Sequence, residues 1–263
     1  MNILDFKRKK QQHQKITMLT CYDYPSARLI AESNIDCILV GDSVAMVVHG
    51  HPTTVSATME MMVMHTEAVA RGVGKQFLIS DLPFLSYRTG IETTVAHVAR
   101  LMQAGAQGIK LEGADEDACA TIRYLVSAGV PVMGHIGLTP QSVHQLGGWK
   151  VQGKKESEAR RLLDEAKALE DAGCFAVVLE CIPQAVAEAI TEMLSIPTIG
   201  IGASMATDGQ VLVWHDVLGL QTEYLPKFVK QYLPGKEVIL NAINHYAEQV
   251  QQADFPAEEH TYS

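Results

Sequence analysis

Cys37-Ile-Leu-Val-Gly-Asp-Ser43 opens as an apolar, β-branched run and stops on a glycine, an acid and a hydroxyl. Such a run is the composition of a strand buried on both faces, as in a parallel sheet. A carboxylate at the carboxyl end of that strand stands where α/β folds place their chemistry. The pattern recurs. Phe77-Leu-Ile-Ser-Asp81, Gly108-Ile-Lys-Leu-Glu112 and Phe175-Ala-Val-Val-Leu-Glu180 end on acids, and Pro131-Val-Met-Gly-His135 ends on a histidine. One polar strand end is coincidence. Five predict a polar ring around a common centre.

Working outward, Ile16–Thr20 reads as a first strand, Cys37–Asp42 as the second, and Phe77–Asp81, Gly108–Glu112 and Pro131–His135 as the next three. Phe175–Glu180, Pro197–Ile201 and Val211–Trp214 complete eight. Helical patterns fall between them, the clearest at Ala57–Arg71, Glu92–Ala104, Glu116–Ser127 and Glu156–Ala172, with a closing helix at Glu237–Gln251. Eight strands alternating with helices in 263 residues predict an α/β chain folded as one (β/α)8 TIM barrel over 1–263, with an extra amino-terminal helix. A doubly wound sheet is the rival, but no G-x-G-x-x-G opens an early helix.

Composition limits the function. The chain is 47% hydrophobic, enough for a large core, and its formal net charge of −9 argues against a nucleic-acid surface. The five cysteines form no C-x-x-C pair and read as reduced thiols of a cytoplasmic protein without a zinc site. No long apolar segment predicts a secretory signal or a membrane span. The basic run Lys7-Arg8-Lys9-Lys10 reads as a solvated face of the leading helix. Met59, Met61, Met62 and Met64 read as adaptable core filler.

In a barrel the strand ends converge, so Asp42, Asp81, Glu112, His135 and Glu180 should approach one another. Crowded anions repel unless a cation lies between them or one is protonated. Oxygen ligands favour a hard ion such as Mg²⁺, which takes one or two carboxylates plus waters and substrate oxygens. Asp42 and Asp81 are the expected direct ligands, with Glu112 ligating directly or through water. Lys110 shares a strand face with Glu112 and either bridges the acids or binds a substrate carboxylate. Glu180, after five apolar residues, is expected in a drier spot suited to a general base. His135 suits an oxyanion or carboxylate partner. His49-Gly-His51 is weak as a metal pair, and Gly200-Ile-Gly-Ala-Ser204 reads as a phosphate cup or as close backbone packing.

Taken together, Val40-Gly-Asp-Ser43, Ser80-Asp-Leu-Pro83, Lys110-Leu-Glu-Gly113, Gly134-His-Ile-Gly-Leu-Thr-Pro-Gln-Ser142, Val151-Gln-Gly153, Leu179-Glu-Cys181, Ile199-Gly-Ile-Gly202 and Asp208-Gly-Gln resemble the ketopantoate hydroxymethyltransferase family, end to end. Ala203-Ser-Met205 departs from the family's usual pattern. The resemblance implies a barrel of the phosphoenolpyruvate/pyruvate-binding type and a homodecamer built from dimers. It implies transfer of a one-carbon unit from 5,10-methylenetetrahydrofolate to 3-methyl-2-oxobutanoate, giving 2-dehydropantoate for pantothenate synthesis. By position it implies Mg²⁺ on Asp42 and Asp81 with Glu112 linked to it, Ser43 and Lys110 as substrate contacts, and Glu180 as proton acceptor. Residues 136 to 155 are expected to act as a lid. A Mg²⁺-dependent C–C lyase of the isocitrate-lyase kind is the alternative; such lyases commonly carry a Cys-Gly-His loop, and no cysteine here precedes Gly-His. A non-catalytic barrel is the other, disfavoured by so many charges at one mouth.

Overall fold

The computed structural model describes residues 1–221 and 225–262. The described residues form two compact units, Met1–Val213 and a smaller one from Trp214 onward. In the first, strands β1 (Ile16–Thr20), β2 (Cys37–Val40), β3 (Phe77–Asp81), β4 (Gly108–Lys110), β5 (Val132–Gly137), β6 (Ala176–Glu180), β7 (Thr198–Ile201) and β8 (Gly209–Leu212) close into a barrel. Each strand runs parallel to its neighbours, and β8 pairs with β1. The helices of this unit are α1 (Ile3–Gln11), α2 (Tyr24–Ala31), α3 (Val44–Val47), α4 (Met59–Gly72), α5 (Ile91–Gln103), α6 (Glu116–Ser127), α7 (Val143–Leu146), α8 (Glu156–Asp171) and α9 (Gln184–Met193). The second unit holds α10 (Trp214–Val217) and α11 (Gly235–Gln251).

Local chemistry sets the helix starts. Asp23 accepts a hydrogen bond from Ser26 N at 2.7 Å with Pro25 in the first turn of α2, and Thr58 and Asp115 cap α4 and α6 in the same way. The eighth strand begins and ends two residues earlier than the pattern Val211–Trp214 predicted. Gly209 and Gln210 pair with Ile16 and Thr17, and Trp214 instead opens α10. The fourth strand ends at Lys110, so Leu111 and Glu112 continue past the ladder.

Period-two alternation fills the barrel interior. Cys37 and Leu39, Phe77 and Ile79, Met133, and Ala176 and Val178 point inward and pack with Met18, Ile199 and Val211. Helix α1 closes the amino-terminal floor. Phe6 is fully buried there, edge-on to Phe77 at 5.6 Å and Phe175 at 5.0 Å between ring centroids. Two of its lysines are not a solvated face. Lys9 pairs with Asp36 and Lys10 with Asp208, each at 2.8 Å, at the feet of β2 and β8. The methionines of α4 divide: Met59 and Met62 are buried, whereas Met64 is exposed. All five cysteines are free, four of them buried. Among the described residues, no helix is long and apolar enough to cross a membrane.

Candidate active site

The same alternation continues beyond the apolar layers to the carboxyl-terminal mouth. Two residues past Ile79 comes Asp81, two past Met133 comes His135, and two past Val178 comes Glu180. Strand register sets Asp81 beside Lys110, and Gly137 beside Glu180. Gly137 has φ +99°, and a Cβ there would lie 2.2 Å from the Glu180 carbonyl oxygen, so only glycine lets β5 press against β6 at this level. Asp42 and Ser43 follow Gly41 as β2 turns into α3.

All seven predicted residues meet at this mouth. Lys110 Nζ lies 3.0 Å from Asp81 Oδ1 and 3.3 Å from His135 Nδ1. His135 Nδ1 is 3.4 Å from Glu112 Oε1, and its Nε2 is 3.3 Å from Glu180 Oε2. The backbone N–H of Asp42 donates to Asp81 Oδ2 at 2.9 Å. The side chains of Asp81, Glu112 and His135 are each 3% exposed, whereas that of Glu180 is 14% exposed. Glu180 is therefore the wetter edge of the cluster, not the drier spot expected from its apolar run.

Charge dominates the energetics. Burial and then the neighbouring charges of Asp81 and Glu112 push Asp42 well above the ordinary carboxylate range. Burial likewise raises Asp81, offset in part by Lys110. For Lys110 burial works against the charge, but Asp81, Glu112 and Asp42 outweigh it and hold the ammonium above the usual lysine range. Burial and Lys110 also oppose a charged His135, yet Glu112 and Glu180 prevail and raise it to about 9. A protonated ring is ion-paired with the two acids, which makes its contact with Lys110 the unfavourable one.

Three buried carboxylates thus face one buried lysine and one histidine. Like charges about 4 Å apart repel by about 4 kcal/mol even at an effective dielectric of 20. Asp81 Oδ1, Glu112 Oε1 and His135 Nε2 have no protein partner of hydrogen-bond geometry, although each lies near an opposite charge. Orphaned carboxylate oxygens with a surplus of negative charge fit a hard divalent cation. Among the described residues, no three His, Cys, Asp or Glu side chains form a ready-made metal cage. Mg²⁺ is a hard ion of this kind: it keeps several waters and needs only one or two carboxylates.

Sequence reasoning missed three residues here. Tyr22, buried just past β1, shares a 2.8 Å hydrogen bond between its hydroxyl and Ser43 Oγ. Gln141 lies in a 3₁₀ turn (Pro140–Ser142) after β5, 4% exposed. Its Nε2 donates to Asp42 Oδ2 at 2.8 Å and to the Leu82 carbonyl at 2.9 Å, and its backbone N–H donates to Glu112 Oε2 at 3.0 Å. The Tyr87 hydroxyl shares its one proton between Gln141 Oε1 at 3.1 Å and the Glu112 carbonyl at 3.0 Å. The only advance signal was membership of the Gly134–Ser142 stretch. His49 pairs with His65 at 2.9 Å between Nε2 atoms, and His65 Nδ1 contacts the Tyr22 carbonyl at 2.6 Å. At Gly200 a Cβ would lie 2.7 Å from Thr207 Oγ1, the close packing that was one of its two readings.

Comparison with known proteins bears on this mouth. The family model described as ketopantoate hydroxymethyltransferase matches residues 1–258. A 3-methyl-2-oxobutanoate hydroxymethyltransferase of Legionella pneumophila (strain Paris) is 66% identical over 262 residues, covering 100% of both chains. One from Coxiella burnetii (strain Dugway 5J108-111) is 54% identical over 263 residues, covering 100% of this chain and 99% of its own. Among solved structures, phosphonopyruvate hydrolase in complex with oxalate and Mg²⁺ is similar with a TM-score of 0.64 at 12% identity, covering 99% of this chain and 93% of that one. A 2,3-dimethylmalate lyase of the PEP mutase/isocitrate lyase superfamily gives 0.62 at 16% identity, covering 99% and 91%. At such identities these two speak for the barrel fold.

Proposed function

Because this chain belongs to the ketopantoate hydroxymethyltransferase family, we propose that its acid-lined mouth enolises 3-methyl-2-oxobutanoate and adds a one-carbon unit to the resulting carbanion. The hydroxymethyl transfer itself follows from that membership, and with it a place in pantothenate synthesis. The observation that carries the residue assignment is the buried anion surplus of Asp42, Asp81 and Glu112 around Lys110.

Asp42 and Asp81 would hold Mg²⁺, with Glu112 attached directly or through water. Bound there, the ion supplies Lewis-acid stabilisation to a developing enolate. The chain's own residues do the rest. Glu180, the most accessible acid of the cluster, takes the proton from C3 of the keto acid. Lys110 and His135 offset negative charge on the substrate carboxylate and carbonyl. Ser43, fixed by Tyr22, orients the substrate beside Asp42. The new C–C bond joins C3 to the methylene carbon of 5,10-methylenetetrahydrofolate, water supplies the hydroxyl, and tetrahydrofolate leaves. The lid would be the part of segment 136–155 that follows β5, from Leu138 on; its exposed part includes Trp149 and Val151.

Free thiols throughout support a reducing compartment, the cytoplasm. The apolar residues that α11 leaves exposed, Val238, Ile239, Ile243 and Tyr246 among them, support a self-association surface; the homodecamer built from dimers rests on the family resemblance, and sedimentation of the full chain tests it.

The deciding assay measures 2-dehydropantoate formed from the two substrates with Mg²⁺ and with excess chelator, and C3 exchange of the keto acid in D₂O. Product and exchange that both vanish with chelator are expected. Glu180→Gln should slow exchange by about 10²–10⁴-fold. Exchange unaffected by chelator, or by Glu180→Gln, would reassign the metal or the base.

A further inference from the structure

We propose that Gln141 is a positioning residue that holds Asp42 and Glu112 in one frame for a divalent cation, an assignment that rests on the metal reading above. Its amide orientation is fixed by its surroundings. Nε2 faces two acceptors, Asp42 Oδ2 and the Leu82 carbonyl, while Oε1 faces the Tyr87 hydroxyl. A flipped amide would set oxygen against oxygen at both Nε2 contacts.

Through this one residue the loop after β5 grips acids that follow two other strands. The side chain binds Asp42 beyond β2, and the backbone N–H binds Glu112 beyond β4. Gln141 engages only one oxygen of each acid, and the second oxygen of Glu112 has no partner of hydrogen-bond geometry, only His135 Nδ1 at 3.4 Å. A glutamine that merely filled space would need satisfied hydrogen bonds, but not bonds to two like-charged groups that otherwise repel. Donors shared between two carboxylates lower the cost of keeping them close and leave their free oxygens for a cation. Tyr87 extends the frame by fixing Oε1 and binding the Glu112 carbonyl. The far end of the same loop is also tied to the mouth, since Gln152 N donates to the Cys181 carbonyl at 2.9 Å, next to Glu180.

Gln141→Met keeps the length of the side chain and the backbone N–H to Glu112, and removes the amide. The measurement is Mn²⁺ affinity of the metal-free full chain, read from the free-ion electron paramagnetic resonance signal, alongside its melting temperature and circular dichroism. Loss of about 10–100-fold in Mn²⁺ affinity with the fold retained is expected, the range found when partners of metal ligands are removed. A purely structural Gln141 would lower the melting temperature and leave affinity unchanged, which overturns the assignment while wild-type Mn²⁺ binding leaves the metal reading intact. Wild-type protein that binds no Mn²⁺ overturns both. Should Gln141→Met fail to fold, Tyr87→Phe decides: it removes the hydroxyl that contacts both Oε1 and the Glu112 carbonyl, and a smaller loss of Mn²⁺ affinity in the same direction is expected, with no change counting against the proposal.

Discussion

Its neighbours can push a carboxylate's ionisation up or down in pH, and this chain does both. At the mouth, burial and like charge raise Asp42. On α8, Glu170 goes the other way. Burial alone would raise it, but Lys167 Nζ at 2.8 Å and the Ser195 N–H and hydroxyl at 2.6 and 2.7 Å hold it down at about 2. An unfolded glutamate titrates near 4.5, so the stabilisation is complete above that pH and is lost as pH falls towards 2. Glu170→Gln keeps an oxygen for the Ser195 donors and loses only the charge facing the half-exposed Lys167, so it is expected to cost about 0.5–1 kcal/mol at pH 7. In urea melts the difference from wild type should shrink below pH 4.5; an equal difference at pH 7 and pH 3 would refute the charge assignment. At this scale the sequence revealed what strand periodicity controls. Asp81, Lys110, His135 and Glu180 were readable because each continues the alternation of a buried run. Gln141, Tyr22 and Tyr87 were not, because turn residues carry no period, and Gln141 finds Asp42 across 99 positions of chain.

Elements show the same division between local and distant causes. Strand and helix identities could be read from apolar runs and caps, and α6 begins and ends where its pattern does, at Glu116 and Ser127. The exception at β8 has a physical source. Gly209 has no side chain to signal a strand, yet it pairs with Ile16 because a Cβ there would lie 2.5 Å from the Ile16 carbonyl oxygen. Helix α1 was foreseen as an element but not as a floor, since its charges suggest solvent and only Phe6 reports its burial. Phe6→Ala should therefore destabilise by about 3–5 kcal/mol through the cavity left between Phe77 and Phe175. Denaturant unfolding measures it. A change below about 1 kcal/mol, the range of tolerated core swaps, would show that the floor helix is not part of the cooperative unit.

For the whole molecule, the order β1 to β8 followed from chain length and strand count, because a parallel strand pair needs a covering crossover each time. Closure joins the first strand to the last. A cation that relieves the buried anion surplus should be felt by the entire cooperative fold. Mg²⁺ at ten times its dissociation constant is expected to add about 1.4 kcal/mol to stability. That corresponds to a rise of about 3–5 °C in melting temperature for a chain of this size. The double variant Asp42→Asn, Asp81→Asn should lose the rise, and a shift that persists in it would place the ion elsewhere. Floor helix α1 also sets a timetable for biosynthesis. Helix α1 is anchored by Lys10 to Asp208, which is synthesised 198 positions later. At about 5–20 residues per second that wait lasts about 10–40 s. Until then the Phe6 face of α1 has no closed barrel to pack against, so it stays a hydrophobic surface that a chaperone can hold while the last strands are made.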